Sequence, residues 1–328
     1  MADIPLTFAV GDYEHVRDLR SGDVRPEGID LTVLRTPIEE LLFRFVRFRE
    51  WEVSEMGLGP YASLVSRGHT DMVGLPVFTS RVFRHSSLYV RTDAGIDSPA
   101  DLAGKRIGVP EWALTAVIYV RGLLQHAWGI DLHGIQWVQA GVDEAGRADK
   151  MNLDLPQFSI TRQPTRSLSE MLVSGDLDAV ISARPPRPFL EGHPRVRRGF
   201  ENVYAEEVSY YEKTQVFPIM HLVVLRRDAY ESHRWIAMNL MKAFEEAKRR
   251  ALARMSDFNS SHFPVAWLPH HLAFARAQMG EDCWPYGVNA NRTTLETFCQ
   301  YAYEQGACAR RLEIEELFAP ETLAVSRA

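Results

Sequence analysis

Four polar or ionisable side chains follow the first apolar segment, in the stretch FAVGDYEHVRDL. Gly11 is followed at once by Asp12, Tyr13, Glu14 and His15. An imidazole titrates near neutral pH, so this turn carries a residue type that proton transfer needs. If Asp12 caps the helix that follows, His15 lies in its first turn, beside the strand end. The turn therefore predicts part of a proton-transfer or ligand-binding site.

Three further acid–base candidates lie near the ends of predicted strands. They are Glu55 in VSEMGL, His85 in FRHSS and His221 in FPIMHLVVL. Each has a plainer interpretation, since Glu55 would also suit a salt bridge with a neighbouring Arg, and a lone His is more often a structural hydrogen-bonding group. We expect the catalytic acid or base to be among His15, Glu55, His85 and His221.

Arg side chains near strand ends predict an anion site. Arg81 and Arg84 follow the strand-like DMVGLPVF, and Arg184 follows DAVIS directly. An Arg forks onto a carboxylate through two parallel hydrogen bonds, so we expect Arg81 or Arg84 to bind one and Arg184 to close on it from the opposite side. The alternatives are a basic surface loop for the first two and pairing with Glu191 or Asp178 for Arg184.

Four more residues complete the predicted ligand site. Thr115 stands where a helix begins after RIGVP, and free N–H groups at a helix start suit an anion. Glu111 would oppose an anion unless it is protonated or paired. Trp284 and Tyr286 in WPYG offer a ring wall for an aromatic ligand, with plain packing as the alternative. Together with Asp12 and Tyr13, these residues are the expected ligand contacts.

The elements that must position these side chains are alternating strands and helices. Strand-like segments such as LTFAV, IDLTVL, RIGVP and HLVVL alternate with helical patterns such as IEELLFRFVRF, LTAVIYVRGLLQHAW and a long one over 230–255. This alternation predicts βα units whose strand ends form the ligand-binding rim. Residues 1–91 and 220–328 are expected to form one α/β lobe and residues 92–219 an inserted second lobe. A cleft would lie at the hinge between the lobes. The stretch 183–199 is expected to be an irregular basic loop.

Composition narrows the classes of function. The chain has 328 residues, 46% apolar and 24% charged, with a formal charge of −6, which argues against a general nucleic-acid surface. The start has no leader pattern and no long apolar run follows, so we expect a cytoplasmic protein. Cys283, Cys299 and Cys308 lack metal-site or disulfide spacing. The adjacent His270 and His271 do not form a helical metal pair, so no metal site is expected.

Longer segments resemble known proteins. The stretch DLAGKRIGVPEWALTAVIYVRGLL and the lobe layout resemble the type II periplasmic-binding-protein fold. More specifically, GDYEHVRDL, SEMGLGPYASLV, PVFTSRVFRHSSLYVR and WPYGVNANRTTLETFCQYAYEQG are similar to segments of the 4,5-dihydroxyphthalate decarboxylase family of phthalate catabolism. The similarity spans nearly the whole chain, and its combined motifs are more specific than GKRIGV alone.

The resemblance implies a carboxy-lyase that converts 4,5-dihydroxyphthalate into 3,4-dihydroxybenzoate and carbon dioxide. Each carboxyl-bearing carbon of this substrate is para to a hydroxyl, so ring protonation gives a delocalised cation and needs no organic cofactor. The expected partner is thus a small aromatic dicarboxylate rather than a nucleic acid or a membrane, and a homo-oligomer stays open. The alternatives are a cytoplasmic protein that binds or senses an aromatic acid, and a biosynthetic lyase on the same fold.

Overall fold

The fold contains two β-sheets with helices packed around them. The computed structural model describes residues 3–260 and 262–324. In these ranges no helix is both long enough and apolar enough to cross a lipid bilayer. The strands are β1 (Ile4–Val10), β2 (Ile29–Arg35), β3 (Val53–Gly57), β4 (Met72–Arg81), β5 (Leu88–Arg91), β6 (Arg106–Val109), β7 (Gln136–Gln139), β8 (Ile160–Arg162), β9 (Ala179–Ile181), β10 (Val196–Arg198) and β11 (Ile219–Arg226).

The helices follow most of the predicted apolar patterns. They are α1 (Arg17–Ser21), α2 (Ile38–Phe48), α3 (Leu58–Ser66), α4 (Thr115–Trp128), α5 (Leu168–Ser174), α6 (Arg187–Leu190), α7 (Val203–Thr214), α8 (Arg227–Ser232), α9 (Ile236–Ser256), α10 (Leu268–Met279) and α11 (Arg292–Glu304). In α2, Leu41 and Phe45 are buried four residues apart, so one face of the helix packs on the sheet. Gly129 ends α4 in the left-handed conformation, where a side chain would be strained.

The first sheet has the strand order β2-β1-β3-β11-β4. Strand β1 runs parallel to β2 and β3, so the carboxyl ends of β1 and β3 lie side by side. Strand β11 inserts antiparallel between β3 and β4, with His221 opposite Gly57 and Val223 opposite Glu55. The start of β11 therefore meets the carboxyl end of β3.

The second sheet has the order β10-β5-β9-β6-β7-β8. Strands β9, β6, β7 and β8 are mutually parallel, so their carboxyl ends lie along one edge. Strand β5, residues 88–91, already belongs to this sheet, and β11 returns the chain to the first one. The division into lobes at residues 91 and 220 stays a prediction.

Two expectations about local structure are wrong. The stretch 183–199 is not irregular throughout, because α6 begins at Arg187 after Pro186 and β10 pairs with the edge strand β5. The helical tail predicted over 230–255 is interrupted, since α8 ends at Ser232 and α9 begins at Ile236. Short segments of this kind take their structure from the neighbours they pair with rather than from their own pattern.

Candidate active site

A cleft of about 270 Å³ lies where the strand ends of the two sheets face each other. The first-sheet part of the chain contributes Ile38, Glu39, Leu42, Val46, Gly57, Pro60, Arg84, Met220 and His221 to its lining. The second-sheet part contributes Pro110, Leu114, Thr115, Ala116, Val142, Arg147, Lys150, Ser182, Ala183 and Arg184. The cleft thus combines apolar walls with several cations and one imidazole, which is typical of a small-molecule site.

The carboxylate of Glu55 lies beside the cleft and accepts three hydrogen bonds. Its Oε1 accepts hydrogen bonds from His221 Nδ1 and from the Tyr13 hydroxyl, each at 2.6 Å. Its Oε2 accepts from the backbone N–H of Gly11 at 2.9 Å. Glu55 has no solvent-accessible side-chain surface, whereas His221 is 17% exposed and lines the cleft. Because Nδ1 donates to Glu55, the other ring nitrogen, Nε2, is left for a ligand.

Strand register explains why these residues meet. Glu55 is opposite Val223, and His221 is opposite Gly57, so the two side chains are diagonal neighbours on one face of an antiparallel pair. Such diagonal pairs are within reach of long side chains, and here they are 166 residues apart in sequence. The same carboxyl end of the sheet brings in Gly11 and Tyr13 from the end of β1, which runs parallel to β3.

The hydrogen bonds also fix the charge of this group. Burial by itself would raise the pKa of Glu55, but the bonds from His221, Tyr13 and the Gly11 amide hold that pKa below its ordinary value. The carboxylate is therefore ionised at neutral pH. Burial and the adjacent Glu55 charge raise the pKa of the Tyr13 hydroxyl well above its ordinary value, so Tyr13 is neutral and donates.

Of the two predicted Arg anchors, only Arg84 faces the cleft. Its Nε contacts the Met220 sulfur at 2.9 Å, and no carboxylate of the described residues forms an ion pair with it. Burial lowers the pKa of Arg84 to about 10, which means that the cation is poorly solvated where it stands. Arg81 instead donates to the Asn291 side chain and to the Pro285 carbonyl, and it lies over the Phe78 and Phe217 rings.

On the second-sheet side, Glu111 holds two cations at the cleft. Its Oε1 is 2.7 Å from Arg147 Nη2 and 2.6 Å from Lys150 Nζ. Lys150 also donates its backbone N–H to Oε2 at 3.2 Å. Glu111 is buried and comes directly after β6 and Pro110. Its predicted conflict with an anion is therefore relieved by pairing with two cations.

Arg184 reaches across the cleft to the first-sheet part of the chain. Its Nη2 lies 3.3 Å from Glu39 Oε1 in α2, and both side chains are more than half exposed. Arg147 Nη1 approaches the same oxygen at 3.8 Å. The alternatives of pairing with Glu191 or Asp178 are wrong, since Asp178 pairs with Arg91 and Arg106 instead.

Thr115 stands at the first position of α4 and lines the cleft, as the sequence predicts. Its hydroxyl accepts a hydrogen bond from the Gly59 amide at 2.9 Å, which joins the start of α4 to α3. A Cβ on Gly59 would clash with the Ala113 carbonyl, so only Gly allows this close approach.

Three predicted residues, His15, Trp284 and Tyr286, are outside the cleft lining, and His15 packs against the rings of Tyr13 and Trp284. The His15 ring lies 5.3 Å from the Tyr13 ring and 5.5 Å from that of Trp284, whose indole N–H donates to the Phe78 carbonyl. Tyr286 is buried under Lys248, 4.4 Å away. None of the three lines the cleft, so the ring wall stays a prediction. Burial lowers the pKa of His15 to about 4, so it is neutral at pH 7.

His85 and Asp12 also lie off the cleft lining. Both ring nitrogens of His85 are buried without a partner among the described residues, and the Trp128, Phe200 and Tyr210 rings surround it. Burial lowers the pKa of His85 to about 4. Asp12 does not cap a helix, because a 3-10 turn, Glu14–Val16, follows Tyr13, and the exposed Asp12 carboxylate pairs with Arg20 and Arg35 instead.

Sequence reasoning missed Arg147 and Lys150. Both lie in the loop after β7, in the stretch GRADK, where no apolar periodicity marks a structural element. They come eight and eleven residues after β7 ends, whereas Arg184 comes three residues after β9 ends, so the strand-end rule alone does not select them. Residues 3–260 and 262–324 contain no group of three or more His, Cys, Asp or Glu side chains that would hold a metal ion.

Two α/β sheets whose strand ends enclose a ligand-sized cleft define the two-lobed type II periplasmic-binding-protein-like class. Solved structures agree: the periplasmic aliphatic sulphonate-binding protein SsuA from Escherichia coli superposes with a TM-score of 0.55 at 12% identity, covering 98% of this chain and 99% of that one. A putative sulfonate-binding SsuA from Methylobacillus flagellatus gives 0.54 at 15% identity, covering 98% and 93%. Residues 73–152 match the family described as NMT1/THI5 like.

Much closer relatives identify the family. The chain is 39% identical over 325 residues to the 4,5-dihydroxyphthalate decarboxylase of Comamonas testosteroni, covering 98% of both chains. It is 42% identical over 198 residues to the enzyme of the same name from Pseudomonas putida, covering 60% of this chain and 77% of that one. The chain belongs to the 4,5-dihydroxyphthalate decarboxylase family, as its motifs predicted.

Proposed function

We propose that this protein is a carboxy-lyase that removes one carboxylate of 4,5-dihydroxyphthalate as carbon dioxide and releases 3,4-dihydroxybenzoate. The observation that carries the proposal is the meeting, in one cleft, of the unpaired cation of Arg84 with the His221–Glu55 pair. The first meets the need for an anion anchor and the second the need for a proton-transfer group. The family relatives with this named activity support the same substrate.

The charge of the cleft suits a dicarboxylate. In this proposal five positive charges border it, from Arg84, Arg147, Lys150, Arg184 and the His221 imidazolium, against the three carboxylates Glu39, Glu55 and Glu111. The excess of two positive charges balances the two negative charges of the substrate. Arg84 binds the retained carboxylate in this proposal, because an anion would supply the partner that the poorly solvated guanidinium lacks.

His221 is the proposed proton donor. Its imidazolium, held through Nδ1 by Glu55, gives the proton on Nε2 to the ring carbon that bears the departing carboxylate. The para oxygen then delocalises the positive charge of the ring. The bond to the carboxylate breaks, its electron pair returns to the ring, and carbon dioxide leaves. One proton is consumed per turnover, and solvent restores it to His221. Placing such a donor in a positioned pair contributes about 10² to 10⁴ fold in rate.

The other predicted acids fit this step less well. His15 and His85 are outside the cleft lining, and a neutral imidazole is a weak proton source. Glu55 is fully enclosed by its three donors, so its proposed role is to orient and charge His221 rather than to meet the substrate. A cytoplasmic location and a homo-oligomer stay predictions.

Reaction in deuterium oxide tests the proposal. We expect the purified protein to form 3,4-dihydroxybenzoate with one deuterium at the carbon that lost the carboxylate, as read by mass spectrometry and proton NMR. EDTA is expected to leave the rate unchanged, since the proposed step needs no metal. Saturable binding of 4,5-dihydroxyphthalate without product would instead favour a binding or sensing protein. Loss of activity in EDTA, restored by one divalent ion, would contradict the metal-free step.

A further inference from the structure

Tyr13 and His221 share one oxygen of Glu55. Both donors lie 2.6 Å from Oε1, while Oε2 accepts, among the described residues, the Gly11 amide alone, at 2.9 Å. Two short hydrogen bonds to one carboxylate oxygen compete, because each donor withdraws charge that would strengthen the other. The Tyr13 hydroxyl therefore affects the hydrogen bond between Glu55 and His221 as well as filling space beside the proposed site.

The local backbone is built to place this phenol. Tyr13 is in an extended conformation just after β1, and its ring lies against Gly11. A Cβ on Gly11 would be 2.8 Å from Tyr13 Cε2 and 2.5 Å from Ile38 Cδ1, so a larger residue there would displace the Tyr13 ring or the Ile38 side chain. Gly11 thus positions the hydroxyl and supplies the third donor to the same carboxylate.

We propose that Tyr13 is a positioning residue which weakens the hold of Glu55 on the His221 proton and thereby sets the pH range of the reaction. The inference rests on the proposed function, in which His221 transfers the proton. A carboxylate that loses one donor carries more negative charge toward its remaining partner, and a nearby anion favours the protonated imidazole. Removing the Tyr13 hydroxyl should thus keep His221 protonated to higher pH.

Other charged groups face this pair and must stay in place during the test. They are Glu39 from α2, Arg84 after β4, Arg147, Lys150 and Arg184 from the second-sheet loops, and His15 with Lys248 behind the Tyr13 ring. Tyr13→Phe leaves all of them unchanged and keeps the ring packing. The direction of the shift is the same whether His221 acts as acid or as base, because in both cases its titration governs one limb of the kcat profile.

The test compares pH profiles of kcat and KM for wild type and Tyr13→Phe. We expect the limb governed by His221 to move up by about one pH unit, with KM changed less than twofold. Histidine-selective NMR should show the His221 resonance, assigned with His221→Gln, titrating later by the same amount. Tyr61→Phe is the matched control, since that buried hydroxyl bonds only Leu317 and Gly74 in the described structure, away from the cleft.

The outcomes separate the inference from the proposed function. A lower kcat with an unmoved limb would mean that Tyr13 only packs, and a raised KM with an unmoved limb would mean that it touches the substrate; either result overturns the inference. A downward shift would overturn it as well. If the wild-type protein forms no product, the proposed function fails, and the NMR titration alone still decides whether Tyr13 controls His221.

Discussion

Replacing Arg84 by Met is expected to make the free protein more stable and the enzyme much worse. Burial lowers the pKa of Arg84 from 12.5 to about 10, so folding disfavours the charged form at every pH below about 10. At about 1.4 kcal/mol per pKa unit the cost is about 3 kcal/mol, and we take roughly 2 kcal/mol because part of the side chain still faces water. Met removes this cost, so the melting temperature should rise by a few degrees.

Activity should move in the opposite direction. Removing the guanidinium that binds a substrate carboxylate inside a cleft costs about 2 to 5 kcal/mol of binding free energy, which is roughly 30 to several thousand fold in kcat/KM. Most of the loss should appear in KM, since the retained carboxylate is bound equally in the ground and transition states. Arg84→Lys should rescue poorly, because one ammonium does not reproduce the fork.

The assay pairs thermal unfolding with steady-state kinetics for Arg84→Met and Arg81→Met. Burial lowers the pKa of Arg81 to about 10 as well, but Arg81 donates to Asn291 and Pro285. Its replacement would take a donor from both of these acceptors, so it should not raise the melting temperature and should change KM little. The reasoning would be refuted if Arg84→Met lowered the melting temperature and kept kcat/KM within twofold of wild type. It would equally fail if Arg81→Met were the variant with the raised KM.

Three further predictions concern the proton-transfer pair and the second-sheet cations. His221→Gln should lower kcat by about 10² to 10⁴ fold with little change in substrate binding; an unchanged kcat would move the proton donor elsewhere. The folded-state pKa of Glu55 lies below its ordinary value, so its contribution to stability is full above about pH 4.5 and is lost as pH falls through the folded-state pKa. Urea unfolding of Glu55→Gln should accordingly depend less steeply on pH in the acid range than that of wild type. Glu111→Gln should leave Arg147 and Lys150 less firmly held and raise KM severalfold, whereas Glu191→Gln, an exposed carboxylate with no ion pair among the described residues, should not.

Local sequence patterns predicted helices and strands well where one face of the element is buried and the other is exposed. The segment IEELLFRFVRF matches α2 residue for residue, because its apolar spacing and the flanking Pro37 agree on one helix. The interrupted helix at Ser232 was missed because the residues on both sides continue a helical pattern. The strand β10 was missed because three residues next to Pro194 carry no pattern of their own, and their pairing with β5 decides their structure.

The sequence predicted which residue types form the candidate site better than it predicted which residues pair with each other. Glu55 and His221 were both selected from strand ends, but the expected Glu55 partner was a neighbouring Arg. Register within a sheet, rather than sequence distance, brought His221 to the carboxylate. Likewise, the segment around Arg81 and Arg84 does not show which guanidinium faces the cleft. Arg81 is held away from it by Asn291, which lies near the other end of the chain.

The late insertion of β11 makes the order of synthesis matter. As the chain leaves the ribosome, the second sheet already has all its strands once residue 198 has emerged, whereas β3 and β4 still lack the strand that joins them. Only when residues 219–226 arrive does the first sheet close, and the same pairing carries His221 to Glu55. A nascent chain that stops before this strand therefore has an exposed sheet edge and lacks the His221–Glu55 contact, so closure of the first sheet and formation of this pair are one event.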